Sequence, residues 1–189
     1  MELYLIRHTT PEVGMGVCYG QTDLDVADSF ETELAKIREK VAHLDSPYIY
    51  SSPLQRCAKL ASALAVELQV QHDHRLKELD FGDWEMLPWD QIPRGAIDVW
   101  AEEHVRQAPP NGESFHALHL RASEFLAEVS ANRRGEQVVV VTHAGVIRAL
   151  LAEALGLPLQ NAFKLQLRYG SISHVSIDDI TSRINFINL

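Results

Sequence analysis

Apolar positions recur along this chain with two different periods, and the alternation between them divides it into elements. Short apolar runs at Glu2–Ile6, Tyr48–Tyr50 and Gln137–Thr142 read as strands, each stopped by polar residues. Elsewhere the apolar positions return after three and four residues, the spacing of one buried helix face. Phe30, Leu34, Ile37, Val41 and Leu44 predict a helix over Ser29–Leu44. Leu54, Cys57, Leu60, Ala61 and Leu64 predict a second over Pro53–Leu68, with Ser52 as N-cap and Pro53 in the first turn. Ser114 caps a third, running to Asn132 with Phe115, Leu118, Ala122, Phe125, Leu126 and Val129 inward. A fourth, Val146–Leu155, is stopped by Gly156 and Pro158.

Residues 72–112 lack a clear period and hold Pro88, Pro93, Pro109 and Pro110 together with Trp84, Trp89 and Trp100. They read as a capping insertion with a short helix near Ala96–Arg106, its tryptophans either roofing a pocket or filling the cap's own core. The tail alternates like strands at Lys164–Arg168, Ser171–Ile177 and Arg183–Ile187. This order predicts an α/β fold: a three-layer α/β/α sandwich with a mostly parallel central sheet and a small capping insertion, one domain over residues 1–189.

Composition narrows the function classes. The 189 residues are 46% hydrophobic and 23% charged, ordinary for a soluble globular chain. No apolar run approaches the ~20 residues of a membrane span, and the chain opens directly on a strand pattern, so no membrane partner and a cytoplasmic location are expected. A formal net charge of −9 argues against a nucleic-acid partner. It leaves room for an anionic ligand in a locally positive pocket. Cys18 and Cys57 suggest neither a disulfide framework nor a zinc ribbon. Cys57 shares the packing face of its helix, whereas Cys18 lies in a loop near the first strand, where it is a candidate to line a pocket.

The chemistry gathers where strands end. The first strand runs into Arg7-His8, the second into Ser51-Ser52-Pro53-Leu54-Gln55-Arg56, and the third into Thr142-His143-Ala144-Gly145. Polar residues beyond strand C-termini occupy the ligand crevice of α/β folds. A histidine after a strand is commonly structural, yet Arg7 stands beside His8 and a loop through Gly14, Gly16 and Gly20 follows it, able to present N–H groups to an anion. Arg56 falls in a first helical turn, where the helix dipole disfavours a cation unless an anion joins it. Ala144 and Gly145 allow close backbone approach to a ligand. Two imidazoles and two guanidiniums at one edge point to phosphate chemistry, with histidine available as a nucleophile. A carboxyl for proton transfer lies among Glu78, Asp80, Asp83 and Glu85, and spacing does not choose between them. His116 with His119, and His72 with His74, lack a third ligand, so no metal site is expected. Arg148 and His174 are secondary candidates to flank the pocket. The phosphate-loop, dinucleotide and serine-elbow signatures are absent.

These residues resemble the histidine phosphatase (phosphoglycerate-mutase-like) superfamily along nearly the whole chain. Leu5-Ile6-Arg7-His8-Thr9 matches its opening motif and Ser51–Arg56 its second arginine motif. Glu78-Leu79-Asp80-Phe81-Gly82-Asp83-Trp84-Glu85 resembles its acidic segment, Pro110-Asn111-Gly112-Glu113-Ser114 its helix entry, and Thr142–Arg148 its second histidine motif. The resemblance implies that His8 attacks phosphorus to form a phosphohistidine, while Arg7, Arg56 and His143 hold the phosphoryl oxygens. It implies that Glu78 exchanges protons with the leaving group and then with water, and that no metal or other cofactor takes part. Gly20, Gln21 and Ala144 join the phosphate-binding set. Thr9 stands where the family has glycine, and Gly14 where many members have asparagine.

Val17–Asp23 and Phe81–Met86 look most like α-ribazole phosphatases of cobalamin assembly, which makes α-ribazole 5′-phosphate the expected substrate. The alternatives are another phosphorylated metabolite, a phosphoprotein, or non-catalytic binding of a phospho-ligand. The partner is thus a small phosphorylated metabolite, and an exposed C-terminal strand edge suits a homodimer.

Overall fold

The computed structural model describes residues 1–189. Six strands form one sheet: β1 (Glu2–Arg7), β2 (Tyr48–Ser51), β3 (Val70–His72), β4 (Gln137–Thr142), β5 (Ile172–Ile177) and β6 (Ser182–Phe186). Their spatial order is β3-β2-β4-β1-β5-β6. The first four in that order run parallel, and β5 and β6 add antiparallel to the β1 side. Five α-helices accompany the sheet: α1 (Phe30–Val41), α2 (Gln55–Ala65), α3 (Arg94–Glu103), α4 (Phe115–Asn132) and α5 (Ala144–Leu155).

Side chains alternate across a strand, and here both faces are covered. From β1, Leu3 and Leu5 join a core formed with α4 and α5, and from β4 so do Val138 and Val140. Tyr4, Ile6, Val139 and Val141 face the other way, onto Leu34 and Ile37 of α1 and Cys57, Leu60 and Ala61 of α2. Burial on both faces is why these strands read as continuous apolar runs. The predicted three layers are therefore present. No helix is long and apolar enough to cross a membrane.

Register sets up the crevice. Arg7 pairs with Thr142, and Ser51 lies opposite Val141, so β1, β4 and β2 end level with one another. His8, His143 and Ser52 follow directly from those ends.

Three expectations need correction. Lys164–Arg168 is not a strand; β5 already occupies the edge of β1, and a 3₁₀ turn covers Leu159–Lys164. The carbonyls of Leu165 and Leu167 accept from Arg148 and Arg7 instead of from a ladder. The helix expected from Pro53 starts at Gln55, because the Ser52 hydroxyl is engaged by His143 at 2.8 Å and reaches the Leu54 N–H only at 3.4 Å. Cys18 does not line the crevice. It is fully buried in the cap with Trp84 and Ile92, and its carbonyl accepts from the Met86 N–H. The tryptophans pack on one another there, Trp84 on Trp100 at 5.8 Å between ring centroids and Phe81 on Trp89 at 5.5 Å, so they fill the cap's own core.

Candidate active site

His8 is 1% exposed at the end of β1. Its Nδ1 lies 2.7 Å from the Thr9 carbonyl, which can only accept. Nδ1 therefore carries the proton, and the Nε2 lone pair is left free. Burial, followed by the charges of Arg56 and Arg7, pushes the His8 pKa well below the ordinary imidazole value. The ring is thus a neutral base at neutral pH. Thr9 itself is not among the residues with positive φ, so its β-branch costs no strain in place of glycine.

Arg56 is completely buried in the first turn of α2. Its Nη atoms donate to the carbonyls of Thr22 at 2.8 Å and Gly20 at 2.6 Å. Arg7 donates to the Leu167 carbonyl at 2.7 Å and lies 3.8 Å from the centre of the Tyr169 ring. Neither arginine forms an ion pair, and the Nε–H of each is buried without a partner. A buried cation that lacks a counter-charge is costly to hold. The buried Arg56 and the half-buried Arg7 beside one imidazole make a seat for an anion.

His143 follows β4 and precedes α5 by one residue, fully buried. Its ring centroid is 5.1 Å from that of His8. Ser52 Oγ holds its Nε2 at 2.8 Å, with Cys57 Sγ at 3.4 Å from the same atom. Burial and then Arg56 drive its pKa well down too. Ala144 opens α5 beside it, so the positive end of the helix dipole points into the same hollow.

Among the four candidate carboxyls, geometry separates Glu78. Its oxygens accept from the Gly145 N–H at 3.1 and 3.2 Å, placing it at the start of α5 next to His143. A Cβ at Gly145 would stand 2.2 Å from Glu78 Oε1, so this approach requires glycine. Asp80 accepts from the Gly82 N–H and Asp83 from the Asn111 side chain, both in the cap. Glu85 accepts from the N–H groups of Gln21, Thr22 and Phe81 and from the Thr22 hydroxyl. Burial opposes ionisation of Glu85, but those hydrogen bonds outweigh it and hold its carboxyl below the usual range.

Glu85 also changes the picture of the loop. The Gln21 N–H expected to face an anion is given to Glu85, while the Gln21 side chain donates to the Glu78 carbonyl at 3.2 Å. Gly20 contributes its carbonyl to Arg56, and a Cβ there would lie 1.9 Å from the Leu79 carbonyl. Gly14 sits further out on the loop, with only Val17 near its Cβ position. His174 is not at the crevice; it stacks on Tyr4 and bonds Glu2. Arg148, whose Nε donates to the Leu165 carbonyl, is close enough to Glu78 and Arg7 to feel both charges.

Several contributors went unread in the sequence. Arg121 donates to the carbonyls of Arg75, Lys77 and Glu78 and pairs with Glu113, clamping the segment that carries Glu78. Glu113 stands in the recognised Pro110–Ser114 motif, which carried that signal. Tyr169 precedes a strand antiparallel to β1, a position that necessarily falls beside the β1 end.

Comparison with known proteins agrees with this geometry. The family model of the histidine phosphatase superfamily (branch 1) matches residues 3–189. The chain is 25% identical to the adenosylcobalamin/alpha-ribazole phosphatase of Escherichia coli, over 100% of this chain and 96% of that protein. It is 28% identical to phosphoserine phosphatase 1 of Hydrogenobacter thermophilus, over 100% and 92% of the two lengths. Among solved structures, a mycobacterial glucosyl-3-phosphoglycerate phosphatase in complex with VO3 superposes with a TM-score of 0.88 at 30% identity, covering 99% of this chain and 98% of that one.

Proposed function

The chain belongs to the histidine phosphatase superfamily, and from that premise we propose that it is a metal-independent phosphomonoesterase working through a phosphohistidine on His8. One observation carries the reading: a neutral imidazole with a free Nε2 lies beside the buried Arg56 and the half-buried Arg7, neither of which has a carboxylate partner.

In the first half-reaction, Nε2 of His8 attacks phosphorus as the ester P–O bond breaks, and Glu78 gives its proton to the leaving alkoxide. In the second, water attacks the phosphohistidine, Glu78 takes the water proton, and the P–N bond breaks to return His8 and release inorganic phosphate. Arg7, Arg56, His143 and the Ala144 N–H bind the equatorial oxygens and stabilise charge already in place before the reaction begins. Gly20 and Gln21 serve by holding Arg56 and the Glu78 segment.

The substrate we propose is α-ribazole 5′-phosphate, supported by the likeness of the loop at Val17–Asp23 and of the cap segment at Phe81–Met86 to α-ribazole phosphatases. The relatives named above also include phosphatases with other small substrates, and a matched panel separates these. It compares kcat/KM for α-ribazole phosphate, phosphoserine and glucosyl-3-phosphoglycerate. The expected result is a lead for α-ribazole phosphate of about tenfold or more, the size that pocket contacts supply. A higher value for either of the others overturns the substrate while leaving the reaction intact.

A further inference from the structure

Two tyrosines from opposite ends of the chain meet above the anion seat. Tyr169 stands in the turn before β5, whose Gly170 N–H donates to the His8 carbonyl at 3.1 Å, so it is tied to the catalytic strand end. Its ring covers Arg7 and lies 5.5 Å, centroid to centroid, from the ring of His8. Tyr19 comes from the loop after β1, where Cys18 bonds it to the cap through its N–H and its carbonyl. The Arg56 guanidinium carbon lies 5.5 Å from the centre of its ring. The two hydroxyls are 2.5 Å apart. Each ring thus lies against one of the two arginines, and the hydroxyl bond joins the rings into a clasp. Burial, then the bond to Tyr169, keeps the Tyr19 phenol protonated, and the charges of Arg7 and Glu78 both reach it.

We propose that the Tyr19–Tyr169 clasp makes this phosphatase selective for primary over secondary phosphate monoesters, because the opening it leaves above His8 admits an unbranched CH2–O–P arm. In a secondary ester the branch point is one bond from the ester oxygen. Its second substituent must then occupy the level where the two hydroxyls meet. A primary ester carries its first branch one carbon further out, beyond the clasp. The proposal rests on the phosphatase reading above.

The test uses α- and β-glycerophosphate, isomers that differ only in whether the phosphate sits on a primary or a secondary carbon. For the full-length wild-type chain the kcat/KM ratio should favour the α isomer by about tenfold or more, within the range of steric discrimination in pockets. Tyr169→Ala should bring the ratio to within about threefold of one, and Tyr19→Phe and Tyr169→Phe, which break only the hydroxyl bond, should give intermediate ratios. A wild-type ratio near one, or a ratio unchanged in Tyr169→Ala, overturns the proposal. Should Tyr169→Ala fail to fold, an unchanged ratio in both phenylalanine variants overturns it equally. Wild-type enzyme that hydrolyses p-nitrophenyl phosphate but neither isomer sinks the clasp alone. Enzyme that hydrolyses none of the three sinks the phosphatase reading itself.

Discussion

The same sheet holds histidine in two settings with opposite consequences. At the ends of β1 and β4, His8 and His143 are fully buried among arginines, with no carboxylate bonded to either ring. In the middle of β5, His174 stacks on Tyr4 with 4.2 Å between centroids, and its Nε2 meets Glu2 at 2.6 Å. Ser176 donates to the same Glu2 oxygen, and Asn185 donates to Ser176. The second cluster satisfies its own polar groups and has nothing left to offer a ligand. The first holds positive charge and a lone pair in reserve. What each ring is bonded to, more than its burial, separates the histidine we propose as nucleophile from the one that braces the sheet.

That contrast can be broken most forcefully at His8. His8→Ala should lower turnover of any phosphate monoester by about 10⁴-fold or more, since removing a nucleophile leaves only binding and electrostatics. Steady-state kinetics on an aryl phosphate measure this, and wild-type turnover in the variant would erase the distinction. Glu78→Gln should reduce kcat on alkyl phosphates by about 10²- to 10⁴-fold, the usual range for general acid–base catalysis. The first half-reaction with p-nitrophenyl phosphate should suffer much less, because that leaving group departs without a proton. Equal losses in that step for both substrate types would remove Glu78 from the acid role.

Gly145→Ala tests the positioning of Glu78 without deleting it. A methyl group 2.2 Å from Glu78 Oε1 must displace the carboxyl, and kcat should fall by roughly 10²-fold, as a displacement of about 1 Å commonly costs. Thermal denaturation run alongside shows whether the fold has also loosened.

The pH profile sharpens the same point. A protonated His8 cannot attack, and its pKa is held well below 6.5 by burial and by Arg56 and Arg7. The acid limb of kcat/KM should therefore inflect below that value, with the histidine contribution flat from there through neutrality. An inflection above 6.5 assigned to His8 would mean that the arginines do not act on it as the geometry requires. At the small end, His174→Ala should leave kcat/KM within about twofold while lowering the melting temperature by a few degrees, as loss of a partly buried hydrogen bond does. A large loss of activity at unchanged stability would join the two settings after all.

How far these settings could be read in advance follows from the range of the contacts involved. His8, Arg7 and His143 were legible because an apolar run that stops on a polar residue announces a strand end, and parallel strands align such ends. The α4 boundary was legible too: the Ser114 hydroxyl accepts from the Ala117 N–H, a contact local to the sequence. Glu78 was not distinguishable from its acidic neighbours by spacing; only the family resemblance singled it out, and its contact with Gly145 spans 67 positions. Tyr169, Arg121 and the Glu85 bonds to the loop are long-range in the same way. Lys164–Arg168 alternates like a strand, but alternation cannot reveal that β5 has already taken the edge. Cys18 read as a loop residue beside the pocket, and its actual neighbours, Trp84 and Ile92, lie far along the chain.

The most direct measurement of the central claim is the location of a covalent phosphate. Glu78→Gln mixed with p-nitrophenyl phosphate and quenched in alkali should carry one phosphoryl group on the peptide containing His8. Acid should release that group, and Glu78→Gln combined with His8→Ala should not acquire it. Phosphate on any other residue, or turnover that continues in His8→Ala with no phosphorylated protein formed, would contradict the account.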